Sequence, residues 1–99
     1  SETVVYEVQG TRAFFAAQSG LEIALLALFP VVSSASSDCP ETRNIDFNGI
    51  DGLRGCSATV KCGQPYTTEE ATIYRLESIG QCIANEFTTS RTVQIEVRR

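Results

Sequence analysis

The chain has 99 residues, which suits one domain with a single thin hydrophobic core. Its 42% hydrophobic and 20% charged residues are typical of a folded globular protein, and the lack of His removes the usual general base and the commonest metal ligand. A net charge of -4, with the basic residues scattered, argues against nucleic acid or an anionic membrane surface as the partner.

The first predicted element is a helix over residues 1–29. No Pro occurs before Pro30, and apolar residues recur at helical spacings. The second half, Leu21 to Phe29, is apolar nearly all round, so we expect it to lie buried under a sheet. One predicted face carries Val4, Val8, Phe15, Phe14, Ala17, Leu21, Ala24, Leu25 and Leu28, and the opposite face carries Glu2, Glu7, Gln9, Arg12, Gln18 and Glu22.

At a rise of roughly 1.5 Å per residue, this helix is long, and the rest of so short a chain cannot cover its first half. We therefore expect its apolar residues to protrude or to contact another protein. Gly10 and Gly20 each disfavour a helix by about 1 kcal/mol relative to Ala, which indicates a bend, close packing against a neighbour, or simple tolerance. The predicted partner-binding residues are Val4, Val5, Val8 and Phe15.

Residues 31–55 are predicted to form a connecting loop region, rich in Ser and in turn dipeptides, with one short strand around residues 45–47. Oxygen-bearing side chains alternate from Asn44 to Asp51, as they do at the start of a calcium loop. The pattern begins with Asn and has Gly55 where the bidentate Glu should stand. A turn with Asx hydrogen bonds explains the same residues, and we favour it.

Residues 56–99 change to the two-residue period of strands. Alternation predicts strands at Ser57–Cys62, Thr72–Gly80 and Thr88–Val97. Short connections between them imply antiparallel pairing. The predicted fold is α+β: one domain, residues 1–99, in which a long N-terminal helix packs on a three- to four-stranded antiparallel sheet.

The four cysteines, Cys39, Cys56, Cys62 and Cys82, form an even set with spacings that favour two disulfides over zinc. If the strands before and after residues 65–70 form a hairpin, Cys82 lies opposite Cys56, which leaves Cys39 to bond Cys62. The alternative, Cys39–Cys56 with Cys62–Cys82, closes shorter loops and stays open. Either pairing indicates an oxidising compartment.

Two further groups of side chains are candidates for chemistry. Glu69 and Glu70 are adjacent carboxylates, but neighbours in a loop point apart, so we expect a solvated turn. Tyr66 and Tyr74 could contact a glycan or a protein, although isolated Tyr residues are more often half-buried in a sheet. No nucleophile can be paired with a base, so we predict no catalytic residue, no metal and no cofactor.

Several stretches resemble the minor pilins of the MSHA (mannose-sensitive haemagglutinin) type IV pilus system. Residues 5–30 resemble the family's helix, and together the stretches cover most of the chain, in order and with the cysteines in place. The other stretches that carry the resemblance are Ala16-Ala-Gln-Ser-Gly-Leu21, Gly55-Cys-Ser-Ala-Thr-Val-Lys-Cys62, Tyr74-Arg-Leu-Glu-Ser-Ile-Gly-Gln-Cys82 and Ser90-Arg-Thr-Val-Gln-Ile-Glu-Val97.

This resemblance implies a type IV pilin-like fold and a non-enzymatic subunit that acts in pilus assembly or in the tip complex. The implied partners are other minor and major pilins. The implied location is the bacterial inner membrane, facing the periplasm, before assembly and the extracellular pilus, near its tip, afterwards. Such pilins carry a leader and an apolar anchoring half-helix, so we expect this chain to be the soluble part, tied to the membrane only through a missing N-terminal segment.

Two other functions fit the same features. One is a tip-located adhesion module that binds a glycan or a host protein as a surface ligand, through residues 31–55 or the Tyr66 loop. The other is a pseudopilin of a type II secretion machine, whose loss would impair export rather than piliation.

Overall fold

A computed structural model of the chain describes residues 2–30 and 39–99, with helical side chains from Glu7 onward. It confirms the α+β class, since one helix lies on an antiparallel sheet. The serine-rich stretch predicted as loop falls in residues 31–38 and so lies outside the described residues. The elements are α1 (Glu2–Leu28), β1 (Thr42–Asp46), β2 (Cys56–Cys62), β3 (Tyr66–Thr67), β4 (Thr72–Ala84) and β5 (Phe87–Arg98).

The 13-residue strand β4 is the centre of the sheet. β5 pairs with it along its whole length, from Ile73 opposite Arg98 to Ala84 opposite Phe87. The other edge of β4 is therefore shared by β2 and β3, and β1 pairs with the far side of β2. β4 and β5 meet in a tight hairpin whose Asn85 has a φ of 56°, a left-handed conformation that Asn tolerates.

The sheet has five strands, not the three or four that we predict from the sequence. The additional strand is β3, which lies inside the stretch predicted as a hairpin turn. Its two residues are too few to show an alternating pattern. The short strand predicted around residues 45–47 overlaps β1, which begins earlier, at Thr42, and ends at Asp46, before the buried Phe47.

Alternation places one row of each strand against the helix. In β2 the residues from Cys56 to Cys62 alternate between buried and less buried positions, and in β4 the buried row runs from Leu76 to Cys82. Leu76 joins Leu21 and Cys62 in one core cluster, with half-buried Val93, Ile95 and Val97 of β5 packed against it. The helix side of the sheet is therefore the core side.

Two disulfides staple this small core, as the sequence predicts. Cys56 and Cys82 occupy directly opposite positions on β2 and β4 and are bonded to each other. Cys39 is bonded to Cys62, which ties the segment before β1 to the end of β2. The pairing is the one that the hairpin register favours. The bonds span 23 and 26 residues, and loops of that length correspond to about 3 kcal/mol each, largely by restricting the unfolded chain.

Helix α1 approaches the sheet closely because small residues meet at the contact. A Cβ built on Gly80 of β4 would lie 2.0 Å from the Ala13 carbonyl oxygen and 2.4 Å from the Ala17 nitrogen. A Cβ built on Gly20 of the helix would lie 2.7 Å from that of Ala58 on β2. Of the three explanations for the helical glycines, close packing is therefore the correct one for Gly20.

One buried hydrogen bond crosses this contact. The Ser78 hydroxyl of β4 donates to the Ala17 carbonyl oxygen over 2.6 Å, and Ser78 is fully buried. An unmatched buried hydroxyl costs about 1–3 kcal/mol, so this bond favours one position of the helix along the sheet.

Replacing Gly80 by Ala tests the close approach. We expect the Gly80→Ala variant to lose at least about 3 kcal/mol of unfolding free energy, because the added methyl meets helix backbone that can move only with the whole helix. The matched control is Gly49→Ala, since nothing lies within 4 Å of a Cβ there and its φ is not positive. Urea unfolding with the disulfides intact measures both, and equal stabilities would contradict the packing described.

Candidate functional site

The candidate site is the outer surface of α1, which carries large apolar side chains away from the sheet. At 3.6 residues per turn, Val8, Phe15 and Leu26 fall on nearly one line along the helix. Each of the three is more than half exposed. The set, which we call the outer face, is between 38% and 58% exposed and comprises Val8, Phe14, Phe15, Ile23 and Leu26 of α1 together with Phe29 directly after it.

The opposite side of α1 explains why these residues point outward. Its buried side chains are mostly Ala, with Leu21 and Leu28 at the C-terminal end. Because the contact with β2 and β4 leaves no room for a Cβ at Gly20, a Phe on that side would force the helix off the sheet. The small residues therefore lie inside, and the bulky ones lie outside.

The prediction of one apolar helix face is wrong, because Phe14, placed on that face with Leu21 and Leu28, is 43% exposed while the two leucines are buried. The burial predicted for the stretch from Leu21 to Phe29 holds only in part. Leu21, Ala24 and Leu28 are buried, but Ile23 and Leu26 are exposed. A single sheet layer covers only one side of a helix, so the apolar residues on the other side remain in solvent.

Of the predicted partner-binding residues, Val8 and Phe15 lie on the outer face. The side chains of Val4 and Val5 lie outside the described part of the structure. The sequence predictions do not include the remaining outer-face residues. The sequence does carry a signal for them, because a helix segment that is apolar on all sides needs a second partner when a single sheet covers only one side. The missed residues are Phe14, Ile23, Leu26 and Phe29.

Arg12, on the flank of α1, holds the β1–β2 loop against the helix. Its Nε donates to the Gly52 carbonyl oxygen over 3.1 Å, and its Nη2 donates to the Arg54 carbonyl oxygen. Its Nη1 donates to Oε1 of Gln9 over 2.9 Å, which orients the guanidinium. Arg12 is thus a structural anchor for this loop.

The stretch from Asn44 to Asp51 uses its side-chain oxygens within the fold. Asp46 Oδ1 accepts the Asn48 amide N–H over 2.9 Å, and Asn48 Oδ1 accepts that of Gly55 over 2.7 Å. This is the Asx turn that we favour from the sequence. Among residues 2–30 and 39–99, no group of three His, Cys, Asp or Glu residues is placed to hold a metal ion.

The face of the sheet turned away from α1 is polar, with a shallow cleft of about 530 Å³ at the end of β2. Arg75 Nε lies 3.0 Å from Glu96 Oε2, and the hydrogen bond and negative charge of Glu96 raise the pKa of Arg75. The Tyr66 ring, 44% exposed, lies 5.9 Å from the Arg75 guanidinium. The charges near the cleft thus partly neutralise one another, which is typical of a solvated sheet face.

Glu69 and Glu70 lie in the exposed turn between β3 and β4, as predicted. Glu70 forms an exposed ion pair with Arg98 over 3.6 Å. Neither carboxylate is enclosed by apolar side chains, which is what acid–base chemistry by a carboxylate pair requires.

No family model, curated protein or solved structure matches this chain. Within the described residues, no helix combines the length and the apolar character needed to cross a bilayer.

Removing the Arg12 side chain tests its role as the loop anchor. We expect Arg12→Ala to lower the unfolding free energy by about 1–2 kcal/mol, because two loop carbonyls lose a charged donor at a partly exposed site. Arg54→Ala is the matched control, since it keeps the carbonyl and removes only an exposed ion pair with Asp51. Thermal unfolding measures both, and a loss at Arg54 as large as that at Arg12 would contradict the assignment.

Proposed function

We propose that this chain is a non-enzymatic minor pilin subunit that takes part in assembly or in the tip complex of an MSHA-like type IV pilus. In this proposal, the outer face of α1 contacts the helices of other pilin subunits. The observation that carries the proposal is the two-sided helix: one side fits the sheet through Gly and Ala, and the other presents six bulky apolar side chains to solvent.

The size of the outer face supports a protein partner. Fully burying a Leu or Phe side chain contributes about 1.5–3 kcal/mol. The six outer-face side chains are 38% to 58% exposed, so each offers roughly half of that gain to a partner that covers it. The outer face consists of two apolar patches, Val8 with Phe14 and Phe15 and Ile23 with Leu26 and Phe29, with Ser19 and Glu22 between them. Exposed apolar patches rimmed by polar residues are typical of protein interaction sites. Val8, Phe15 and Leu26 also recur along one line, as a partner helix lying alongside requires.

The first turn of α1 with described side chains supports the same proposal. Among the side chains that the structure describes, which begin at Glu7, both Glu7 and Val8 are exposed, and Gly10 is the first buried residue. This turn of α1 therefore presents Val8 to solvent although it lies beside the sheet. We infer that this turn and the rest of the outer face belong to one contact surface.

The disulfides support the proposed location. Both bonds join described cysteines and no thiol is left free, which is typical of proteins in the periplasm or outside the cell. In the proposal, the subunit resides in the inner membrane facing the periplasm before assembly and near the pilus tip afterwards.

Charge substitutions on the outer face test the proposal. We expect Phe15→Glu and Leu26→Glu each to reduce the number of pili strongly in a strain that carries the full-length protein, because a carboxylate must lose its water on entering an apolar contact. The isolated domain should keep its stability, since both positions are exposed. Electron microscopy counts the pili, and co-purification of the other minor pilins measures binding.

The matched control is Ile83→Glu, which places the same charge at an apolar position of similar exposure, 57%, on the sheet. Normal pilus numbers in both helix variants, or an equal loss in the Ile83 variant, would contradict the proposal. Normal piliation combined with a defect in protein export would favour the pseudopilin alternative instead.

The exposed Tyr66 ring beside Arg75 is the observation that favours the adhesion alternative. An aromatic face next to a cleft with polar side chains is suited to a glycan or a host protein. A Tyr66→Ala variant that makes normal pili but no longer attaches to cells or surfaces would support that function. Normal attachment would argue against it.

A further inference from the structure

The outer edge of β5 is unpaired within residues 2–30 and 39–99. This strand has 12 residues, contains no Pro and follows β4 in an unbroken register, so the edge is long and regular. Such an edge is a template for adding another strand unless it is covered, bulged or blocked.

The register identifies the backbone groups on this edge. Thr72 and Arg99 exchange both of their N–H···O bonds, at 3.1 and 2.9 Å, so they form a hydrogen-bonded pair of the antiparallel ladder. Such pairs alternate with pairs that lack these bonds, so every second residue of β5 turns its N–H and C=O away from β4. These residues are Thr88, Ser90, Thr92, Gln94, Glu96 and Arg98.

A groove of about 550 Å³ flanks the same edge on the helix side. It lies between α1 and β5 and is lined by Glu7, Gly10, Thr11, Phe14 and Arg91. Gly10 leaves room for the Arg91 guanidinium, which would lie 2.5 Å from a Cβ there, and the Phe14 ring is partly exposed. A strand added beside β5 would direct every second side chain towards this groove.

We propose that the edge is filled by β5 of a second copy of this chain, in an antiparallel, two-fold symmetric pair with Val93 opposite Val93. All six outward positions then face bonding partners across the interface, and the Ser90 carbonyl oxygen, which already accepts Arg91 Nη1 over 2.8 Å, accepts a second donor there. Ile95 of the second copy lies opposite Arg91 on the groove side of the sheet, where it keeps the contact with its own core. The remaining pairs on the polar face are Thr88 with Arg98, Ser90 with Glu96 and Thr92 with Gln94.

The charges of β5 fit this occupant and this register, because no two like charges stand opposite each other. In the register with Ile95 on the two-fold axis, Arg91 would lie opposite Arg99 of the second copy. In the register with Glu96 on the axis, Glu96 would lie opposite Glu96 of the second copy. Glu96 and Arg98 also keep their ion pairs with Arg75 and Glu70. The strand is thus complementary to itself, as an isologous contact requires.

The test is the oligomeric state of the whole chain, measured by sedimentation velocity over a range of concentrations. We expect a monomer–dimer equilibrium that Gln94→Pro weakens about tenfold or more, because proline removes an outward N–H and leaves the bonds to β4 intact. The matched control is Gln94→Ala, which removes the same side chain and its bond to Glu77 but keeps the N–H. This variant should dimerise as the parent chain does.

A second measurement needs no variant. Amide hydrogen exchange of Thr92, Gln94 and Glu96 should slow as the concentration of the parent chain rises, while that of Val93, already bonded to β4, should change little. A parent chain that stays monomeric, or edge amides whose exchange ignores concentration, would overturn the proposal. So would a dimer lost in Phe15→Glu but kept in Gln94→Pro, which would place the contact on the outer face.

Discussion

The fold depends on one contact, the close approach of α1 to strands β2 and β4. Gly20 and Gly80 leave no space for a Cβ on either side, and the Ser78 hydroxyl bonds the Ala17 carbonyl across the same gap. This contact uses the small residues of the helix and brings backbone against backbone. Because Gly and Ala fill most of this gap, with Leu21 and Leu28 as the larger exceptions, the bulky side chains of the outer face lie in solvent, and the candidate interface follows from the packing of the core.

Small residues also make the core thin, and covalent and polar contacts at its margins supplement it. Ala and Gly bury little apolar area per residue, so hydrophobic stabilisation is modest for a chain of this length. The Cys56–Cys82 bond joins the two central strands, and the Cys39–Cys62 bond ties the segment before β1 to β2. Arg12 holds the β1–β2 loop to the helix. These contacts stabilise the inner side of α1 and leave its outer side exposed.

The sequence predictions are correct where the two-residue period of a strand or the opposition of two bonded cysteines determines the structure. The alternation in β2, β4 and β5 and the opposition of Cys56 and Cys82 follow from a period of two and from one hairpin register. The two residues of β3 show no period, since their pairing depends on the neighbouring β4. The side of the helix occupied by Phe14 could not be predicted either. In a helix that is apolar on several sides, the size of the side chains that fit against the sheet determines which face is buried. This is a property of the tertiary structure and cannot be read from hydropathy alone.

Hydroxyl-radical footprinting of the isolated chain tests the central claim most directly, because it reports the exposure of individual side chains in solution. Leu26 and Leu28 form a matched pair of identical chemistry, two residues apart, with exposures of 58% and 1%. The account predicts rapid oxidation of Leu26 and strong protection of Leu28. Equal modification of the two leucines, or protection of Leu26 with oxidation of Leu28, would contradict the assignment of the two sides of α1.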